Sequence, residues 1–225
     1  MTITSKIANT SYNGSKMTKQ AGHSDHEFEL SGGVLCLDFA NTLSRRKIPG
    51  RTHDNLPEYS DLVRFAKQSR VISAQYAREL LTTGLAEPKK AARIVQAAII
   101  LREAIYRAFS AIAELRAANF KDVKLIEEFA GDAMRHRQLT SAGRSYHWEW
   151  KRDKDVALTY VLWPIAQSAA DLLTSERLKK VRECGAPTCA WLFLDESRNH
   201  SRRWCDMSVC GNRQKARRHY ERQHS

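Results

Sequence analysis

Glycine and proline are scarce in this 225-residue chain, which contains only 10 and 5 of them. Hydrophobic residues make up 42% of the sequence, so the composition excludes collagen-like and fully disordered chains and predicts a packed core. No uninterrupted apolar run approaches the roughly 18–20 residues of a membrane span. The opening residues, MTITSKIANTSYNGSK, also lack the apolar stretch of a secretory signal. We therefore expect a soluble, cytoplasmic protein with no membrane partner.

The sequence also lacks the common motifs of catalysis. It contains no GxSxG, no HExxH, no phosphate-binding glycine loop, no paired-carboxylate motif and no internal repeat. An enzyme with its pocket in the helical part of the chain is one hypothesis, but no nucleophile with a matching base supports it. We therefore expect that the protein is not an enzyme.

Acidic residues are too few to balance the basic ones. The chain has 37 Lys and Arg against 25 Asp and Glu, a net charge of +12, which predicts an anionic partner. The excess is uneven, because residues 179–225 contain 11 Lys and Arg but only 5 Asp and Glu, a net of +6. Half of the excess positive charge therefore lies in the last fifth of the chain.

The apolar pattern predicts a mainly α protein with a few short β-strands. Residues 1–27, rich in Ser, Thr, Asn and Lys, show no hydrophobic periodicity and are predicted to be a disordered tail. Residues 28–176 are predicted to form a mostly helical N-terminal domain. Residues 177–225 are predicted to form a small zinc-stabilised module that contains a β-hairpin and a helix.

The strongest helical signal lies within residues 88–118. Apolar residues recur there at steps of three and four, which predicts one apolar stripe along a helix of some 30 residues. The stripe consists of Ile94, Ala98, Leu101, Ile105, Ala108, Ile112 and Leu115. We expect this helix at the centre of the core, with a dimer interface as the alternative. A further helix is predicted over residues 121–135.

Shorter helices are predicted on either side of this one. Ser60 and Ser73 are candidate N-caps for two of them, the second of which should end at Gly84. A last helix is predicted over residues 155–175, and Pro164 should bend it.

An aromatic strand is predicted between these helices. Tyr146, Trp148 and Trp150 alternate with His147 and Glu149, which is strand periodicity with one aromatic face. We expect this face to pack on the core, and a small-molecule pocket is the alternative.

Four of the five cysteines are clustered. Cys184, Cys189, Cys205 and Cys210 form the pattern C-x4-C-x15-C-x4-C. Two pairs of thiolates, separated by an insert of hairpin length, suit one tetrahedral Zn²⁺ ion. Four thiolates leave no coordination position open for water or substrate, so we expect the zinc to be structural. Metal binding would also stabilise a module that is too short to build a sufficient core alone.

Other interpretations of the cysteines remain open. The four could be unrelated thiols or a redox disulfide pair, and His200 or His219 could replace one of them as a ligand. Cys36, inside an apolar run, is expected to be a buried core thiol.

Basic residues flank the second cysteine pair. In sequence, Trp191–Leu194 is a candidate strand with Ser201–Trp204 as its return, and Asp206 or Ser208 is a candidate cap for a helix that begins near Cys210. A basic helix held by zinc could contact duplex DNA in the major groove. The candidate DNA contacts are Arg198, Arg202, Arg203, Arg213, Lys215, Arg217 and Arg218. A solvated basic tail, or one that binds an acidic protein, is the alternative.

These residues carry a family resemblance. The run Cys210-Gly211-Asn212-Arg213, with the other cysteines and the WLFLD…SRRWC stretch, resembles the CGNR zinc finger over residues 180–222. The opening of the predicted helical domain, Gly32-Gly33 and the run LDFANT that follows, resembles the ABATE domain that usually precedes this finger. The resemblance implies a bacterial, stress-linked transcription regulator with one zinc ion.

Asp38 and Asn41 belong to the ABATE-like motif. The resemblance makes them candidate ligand-binding residues, although a structural role, in which Asp38 caps a helix and bonds the backbone, is favoured. We expect a zinc-dependent DNA-binding regulator whose N-terminal domain senses a small-molecule effector or forms a homodimer that recognises two half-sites. The alternative function is a zinc-stabilised module that binds RNA or a protein without sequence-specific DNA binding.

Overall fold

The computed structural model describes residues 27–223 and confirms a mainly α protein with a few short strands. Except for Glu27, the predicted tail lies outside the described residues. The α-helices are α1 (Leu35–Ala40), α2 (Tyr59–Gln68), α3 (Ala74–Ala86), α4 (Pro88–Ala113), α5 (Phe120–Arg135), α6 (Trp163–Leu173) and α7 (Asn212–Gln223). Two 3-10 helices, Lys154–Leu162 and Glu176–Lys180, and a π-helical turn, Met207–Gly211, complete the helical elements of this part of the chain.

The strands of the described region form three antiparallel pairs. They are β1 (Leu43–Ser44) with β2 (His53–Asp54), β3 (Arg137–Ala142) with β4 (Ser145–Trp150), and β5 (Val181–Glu183) with β6 (Leu192–Leu194). The last pair lies next to the cysteines, and its residues Val181, Leu192 and Leu194 belong to the same hydrophobic core as the helices. Phe193 packs instead in a small second cluster with the cysteines.

Helix α4 lies at the centre of the core, as its apolar stripe predicts. Ala98, Leu101, Ile105 and Ala108 are at most 1% exposed. The stripe ends one turn earlier than predicted, because the chain leaves the helix and Leu115 adopts a left-handed conformation (φ +60°) with 92% of its surface exposed. The length prediction was therefore slightly too long.

The helix boundaries correct two predictions. Helix α2 begins one residue before Ser60 and is capped by Glu58 and Asp61, which accept each other's backbone N–H in a capping box. Ser73 caps α3 as predicted, but the helix continues through Gly84 to Ala86. Gly84 faces the ring of Tyr59, and a Cβ there would lie 2.8 Å from Tyr59 Cδ1, so this glycine permits close packing instead of ending the helix.

The segment predicted as a helix over 155–175 is divided at its proline. A 3-10 helix covers Lys154–Leu162, and Pro164 lies in the first turn of α6, where its missing N–H costs no hydrogen bond. By length and composition alone, Asp155–Leu173 could cross a membrane, and half of its most apolar window is buried inside the protein.

The aromatic hairpin of β3 and β4 packs on the core only at its base. Trp150 lies against Trp163, with ring centroids 6.1 Å apart. Tyr146 and Trp148 are 71% and 51% exposed, so the expectation that they pack in the core is wrong. The outer two rings therefore lie mostly in solvent, with Arg137 over the ring of Trp148.

A buried ion pair fixes the loop after α1 on α4. Arg102 is 2% exposed and donates to both carboxylate oxygens of Asp54, at 2.6 and 2.7 Å. Burial raises the pKa of Asp54, but the hydrogen bonds and charge of Arg102 outweigh it and lower the pKa overall. Glu103 next to it binds Arg46 at 2.6 Å, so two cations and two carboxylates neutralise one another inside the fold.

Candidate metal centre

Four cysteine side chains converge at one end of the molecule. The sulfur atoms of Cys184, Cys189, Cys205 and Cys210 all lie within 4.8 Å of one another. The Cys189–Cys205 and Cys205–Cys210 sulfur distances are 3.6 and 3.7 Å. Sulfurs placed ~2.3 Å from a tetrahedral zinc ion would be separated by ~3.8 Å. The cluster therefore has the dimensions of a Cys₄ zinc site, and the four predicted ligands are brought together.

The chemistry of the donor set also fits a divalent cation. Hydrogen bonds from Cys189 and Cys205 lower the pKa of the Cys184 thiol. The hydrogen bonds to Cys184 raise the pKa of Cys189, and those to Cys184 and Cys189 raise the pKa of Cys205. Four thiolates this close together would repel one another unless a cation lay between them. A zinc ion would supply this charge, since it binds thiolates and releases their protons. Cys184, Cys205 and Cys210 are at most 4% exposed, so four thiolates would enclose the ion.

Trp204 packs between the two cysteine pairs. A Cβ on Gly185, in the first pair, would lie 3.2 Å from Trp204 Cζ3, and a Cβ on Gly211, next to Cys210, would lie 3.2 Å from Trp204 Cδ1. Both glycines therefore let the indole approach the backbone closely. Gly211, the glycine of the CGNR run, therefore has a packing role, because a side chain there would collide with its neighbours.

The hairpin of the module differs from the prediction. The predicted strand is present as β6 (Leu192–Leu194), but its partner is β5 (Val181–Glu183), and Ser201–Trp204 forms no strand. The N–H of Cys184 donates to the carbonyl of Trp191 at 2.8 Å, which extends this pairing to the first ligand. Because β5 precedes all four cysteines, the hairpin connects the metal cluster to the helical core.

Asp195 organises the loop that carries the first candidate DNA contacts. Its side chain is fully buried and accepts hydrogen bonds from the Ser197 hydroxyl (2.5 Å) and the backbone N–H of Arg202 (3.1 Å). Burial raises the pKa of this carboxyl, but these hydrogen bonds outweigh it and lower the pKa. Asp195 was not among the residues predicted from the sequence, although an aspartate two residues before a serine is a common turn signal.

The arginines of this loop have different surroundings. Arg198 and Arg203 are exposed. Arg202 is exposed as a residue, but its guanidinium donates to the carbonyls of Trp204 and Cys205 and lies 4.5 Å from the Phe193 ring centroid. Arg202 therefore holds the loop against the metal cluster.

Helix α7 extends directly from the cluster. Asp206 accepts a hydrogen bond from the Val209 N–H at 2.8 Å and caps the π-helical turn that contains Cys210, which confirms it as the cap. Arg213, Lys215 and Arg217 are exposed, and Arg217 forms an ion pair with Glu221 at 2.8 Å. The side chain of Arg218 lies outside the part of the chain that can be described.

Asp38 and Asn41 connect the ABATE-like motif to the module. Asp38 accepts the N–H of Gly32 at 2.7 Å. Asn41, which is 3% exposed, donates to the carbonyl of Leu192 and accepts its N–H, both at 2.8 Å. The Leu194 N–H donates to the carbonyl of Gly32 at 2.9 Å. The motif thus completes the free edge of β6 with backbone-like hydrogen bonds.

A second connection joins β5 to the central helix. Glu183 accepts hydrogen bonds from Tyr106 (3.2 Å) and Ser110 (2.7 Å) on α4, and it forms an ion pair with Lys47 at 2.7 Å. Val181, at the start of β5, is 1% exposed within the main core. The metal-bearing module and the helical body are therefore packed together on both edges of the hairpin.

A cleft lies at the base of the aromatic hairpin. It has a volume of about 400 Å³ and apolar walls that include Val34, Trp150 and Pro164. Asp171 and Arg177 supply one charge of each sign. Asp38 and Asn41 do not line it, because their side chains face the backbone of Gly32 and β6.

Comparison with known proteins agrees with this arrangement. Residues 33–176 match the family model ABATE, described as "Putative stress-induced transcription regulator". Residues 180–223, which include all four clustered cysteines, match the model of the CGNR zinc finger. No curated protein matches the chain.

Proposed function

Because the chain belongs to the ABATE family and carries a CGNR zinc finger, we propose that it is a zinc-dependent DNA-binding transcription regulator. The observation that carries this proposal is the position of α7. Its exposed cations begin three residues after the last metal ligand, so a zinc ion would fix the start of the helix. The partner is duplex DNA, whose phosphates match the positive charge of the module.

The dimensions of α7 suit a groove of DNA. A helix of 12 residues is about 18 Å long, and the major groove admits one α-helix. Arg213 and Arg217 are four residues apart and therefore lie on one face. We assign the direct contacts to Arg213 and Arg217 on this face, with Arg198 and Arg203 contributing from the loop. Lys215, two residues from each arginine, lies away from this face.

Zinc has a structural role in this proposal. Four thiolates would fill its coordination shell, so the ion supplies no open position for catalysis when bound. The cysteine residues hold the turn before α7, and Trp204 and Asp206 orient it. We propose no enzymatic activity for the chain.

We assign the sensing of a small molecule to the cleft at the base of the aromatic hairpin. Its volume of about 400 Å³ lies within the usual range of ligand sites. Arg177 on its rim pairs with Glu196 at 3.0 Å, and Glu196 lies in the loop that carries Arg198. A ligand that bonded Arg177 would compete with Glu196 and remove this contact between the cleft and the loop.

Selection from a pool of randomised duplex DNA, with and without a strong zinc chelator, tests the DNA-binding proposal. We expect an enriched sequence motif that disappears on chelation. Binding that lacks any enriched motif and depends only on salt would contradict sequence-specific recognition. It would instead favour the alternative of a protein- or RNA-binding module.

A further inference from the structure

The proposed function leaves the aromatic hairpin unexplained. The register of β3 and β4 places Arg137, Leu139 and Ser141 opposite Trp150, Trp148 and Tyr146, so these six residues share one face. Leu139 is 60% exposed, Tyr146 71% and Trp148 51%. Large aromatic and aliphatic side chains that lie side by side and exposed are typical of a binding surface. We call the six residues the aromatic face.

The charges of the hairpin select an anionic partner. Arg137 lies 5.2 Å from the Trp148 ring centroid and 4.8 Å from that of Trp150, so a cation is held between the two indoles. Arg144 is exposed at the tip, and Lys151 and Arg152 are exposed at the base. Glu149 is the one acidic residue in 137–152, and it lies on the opposite face, bound to Thr140 and His147.

The spacing of the rings suits unpaired bases. Side chains two residues apart on one face of a strand are separated by about 6.8 Å, so Tyr146 and Trp148 can each support one base of an extended strand. Bases stack on aromatic side chains with little dependence on sequence, and arginine adds a cation–π contribution. A base inside a duplex has its faces covered, so this chemistry requires single strands.

Other occupants fit less well. A second copy of the chain would bring two arms of the same sign together in a protein of net charge +12. An apolar peptide would supply no counter-charge to Arg144 at the tip of the hairpin and Lys151 at its base.

We propose that the aromatic face binds single-stranded DNA, with Tyr146 and Trp148 as stacking platforms and Arg137 and Arg144 as phosphate contacts. The choice of DNA over RNA rests on the function proposed above. The zinc module and the hairpin are then two separate nucleic-acid surfaces, one for duplex DNA and one for unpaired bases.

Fluorescence anisotropy of the full zinc-loaded chain tests this, with a labelled 12-base oligothymidine as the probe. The variant Tyr146→Ala/Trp148→Ala should weaken binding about tenfold or more, since each stacked base contributes strongly. His147→Ala is the matched control, because His147 lies between the two rings in sequence but on the opposite face. It should bind like the wild type. Trp148→Phe should retain affinity and reduce the quenching of indole emission that stacking causes, because the other tryptophans remain.

Three results would overturn the proposal. The first is equal affinity of the double variant and His147→Ala for the probe. The second is tighter binding of a 12-base oligouridine than of oligothymidine, which would assign the face to RNA. The third is a self-association of the wild type that the double variant abolishes, which would assign the face to a second copy.

A further variant separates this proposal from the function of the zinc module. Arg213→Ala/Arg217→Ala should lose duplex affinity and keep oligothymidine affinity. The hairpin variant should show the reverse. If duplex binding fails in the wild type while oligothymidine binding depends on Tyr146 and Trp148, the hairpin proposal stands alone. If the zinc-module variant loses oligothymidine binding while the hairpin variant retains it, the aromatic face is not the binding surface.

Discussion

At the scale of single residues, Asn41 connects the N-terminal motif with the metal-bearing module. Its amide forms two hydrogen bonds with Leu192 in a site that is 3% exposed. The resemblance made it a candidate ligand-binding residue, but a family motif cannot say which backbone a side chain will meet. The partner of Asn41 is 151 residues away in sequence, and only the folded chain reveals it.

Replacing Asn41 tests this connection. Asn41→Ala should lower the free energy of unfolding by about 2–4 kcal/mol, because it leaves a buried N–H and a buried carbonyl of Leu192 without partners. Chemical denaturation of the zinc-loaded protein measures the change. Asn199→Ala, in an exposed loop, is the control and should change stability by less than about 0.5 kcal/mol. A small effect of Asn41→Ala would mean that water can replace the amide.

Asp38 should make stability depend on pH. Burial raises its pKa to about 6, and the hydrogen bond from Gly32 only partly opposes this. The folded protein therefore retains a proton on Asp38 at pH values where the unfolded chain, with a pKa of about 3.9, has lost it. The stabilising contribution of this proton is present below pH 4 and is lost as the pH rises towards 6.

The variant Asp38→Asn removes this titration while keeping an acceptor for Gly32. The melting temperature of the variant minus that of the wild type should increase as the pH rises from 4 to 6. At pH 7 the variant should melt at the same temperature as the wild type or higher. Melting curves of both proteins across this range measure the difference. Parallel curves would show that the carboxyl of Asp38 titrates normally in the folded protein.

At the scale of elements, the sequence predicted long periodic helices well and short strands poorly. Helix α4 is recognisable because its apolar stripe repeats over many turns, and each turn adds independent information. Strand β6 has three residues, and its partner depends on contacts that no local pattern records. The metal site, unlike the pairing of β6, was recognisable from a local pattern, because the spacing of the four cysteines is itself typical of a zinc site.

The aromatic strand shows where periodicity is insufficient. The alternation of Tyr146, Trp148 and Trp150 correctly predicted a strand with one aromatic face. It could not show that the hairpin extends beyond the core, because alternation describes which side chains share a face and not what covers that face.

Helix α7 should depend on its cap. Asp206→Ala removes the acceptor of the Val209 N–H, which typically costs about 1 kcal/mol at a helix N-terminus. Because the capped turn contains Cys210, the same change should weaken zinc binding about fivefold, as measured by competition with a chromophoric chelator. Asp206→Asn keeps an acceptor and should bind zinc nearly as the wild type does. Equal losses in both variants would point to the charge of Asp206 instead of its hydrogen bond.

At the scale of the whole molecule, the hairpin of the zinc module is part of the core of the helical body, whereas the cysteines pack with Phe193 in a small cluster of their own. Val181, Leu192 and Leu194 are buried with the helices, and Asn41 and Glu183 bond both edges of the hairpin. The predicted boundary after residue 176 follows the pattern of the sequence, which changes there from helical periodicity to cysteine spacing. Packing continues across it, so the loss of metal should affect both parts.

Zinc removal should therefore destabilise the entire chain. Chelation, or the variant Cys205→Ser, should lower the melting temperature of one cooperative calorimetric transition. The control is Cys36→Ala, which removes a thiol that burial holds protonated in the apolar core and should leave one zinc ion per chain. A body that melts at an unchanged temperature after the metal has gone would show that the two parts fold independently.

The central claim is that the cations of α7 contact the phosphates of duplex DNA, and the salt dependence of binding tests it most directly. Each phosphate neutralised adds about 0.9 to the slope of log affinity against log salt. Arg213→Ala/Arg217→Ala, with its zinc content confirmed as unchanged, should therefore lower this slope by about 2 and weaken binding. An unchanged slope at full zinc occupancy would contradict the account and would leave α7 as a surface for a different partner.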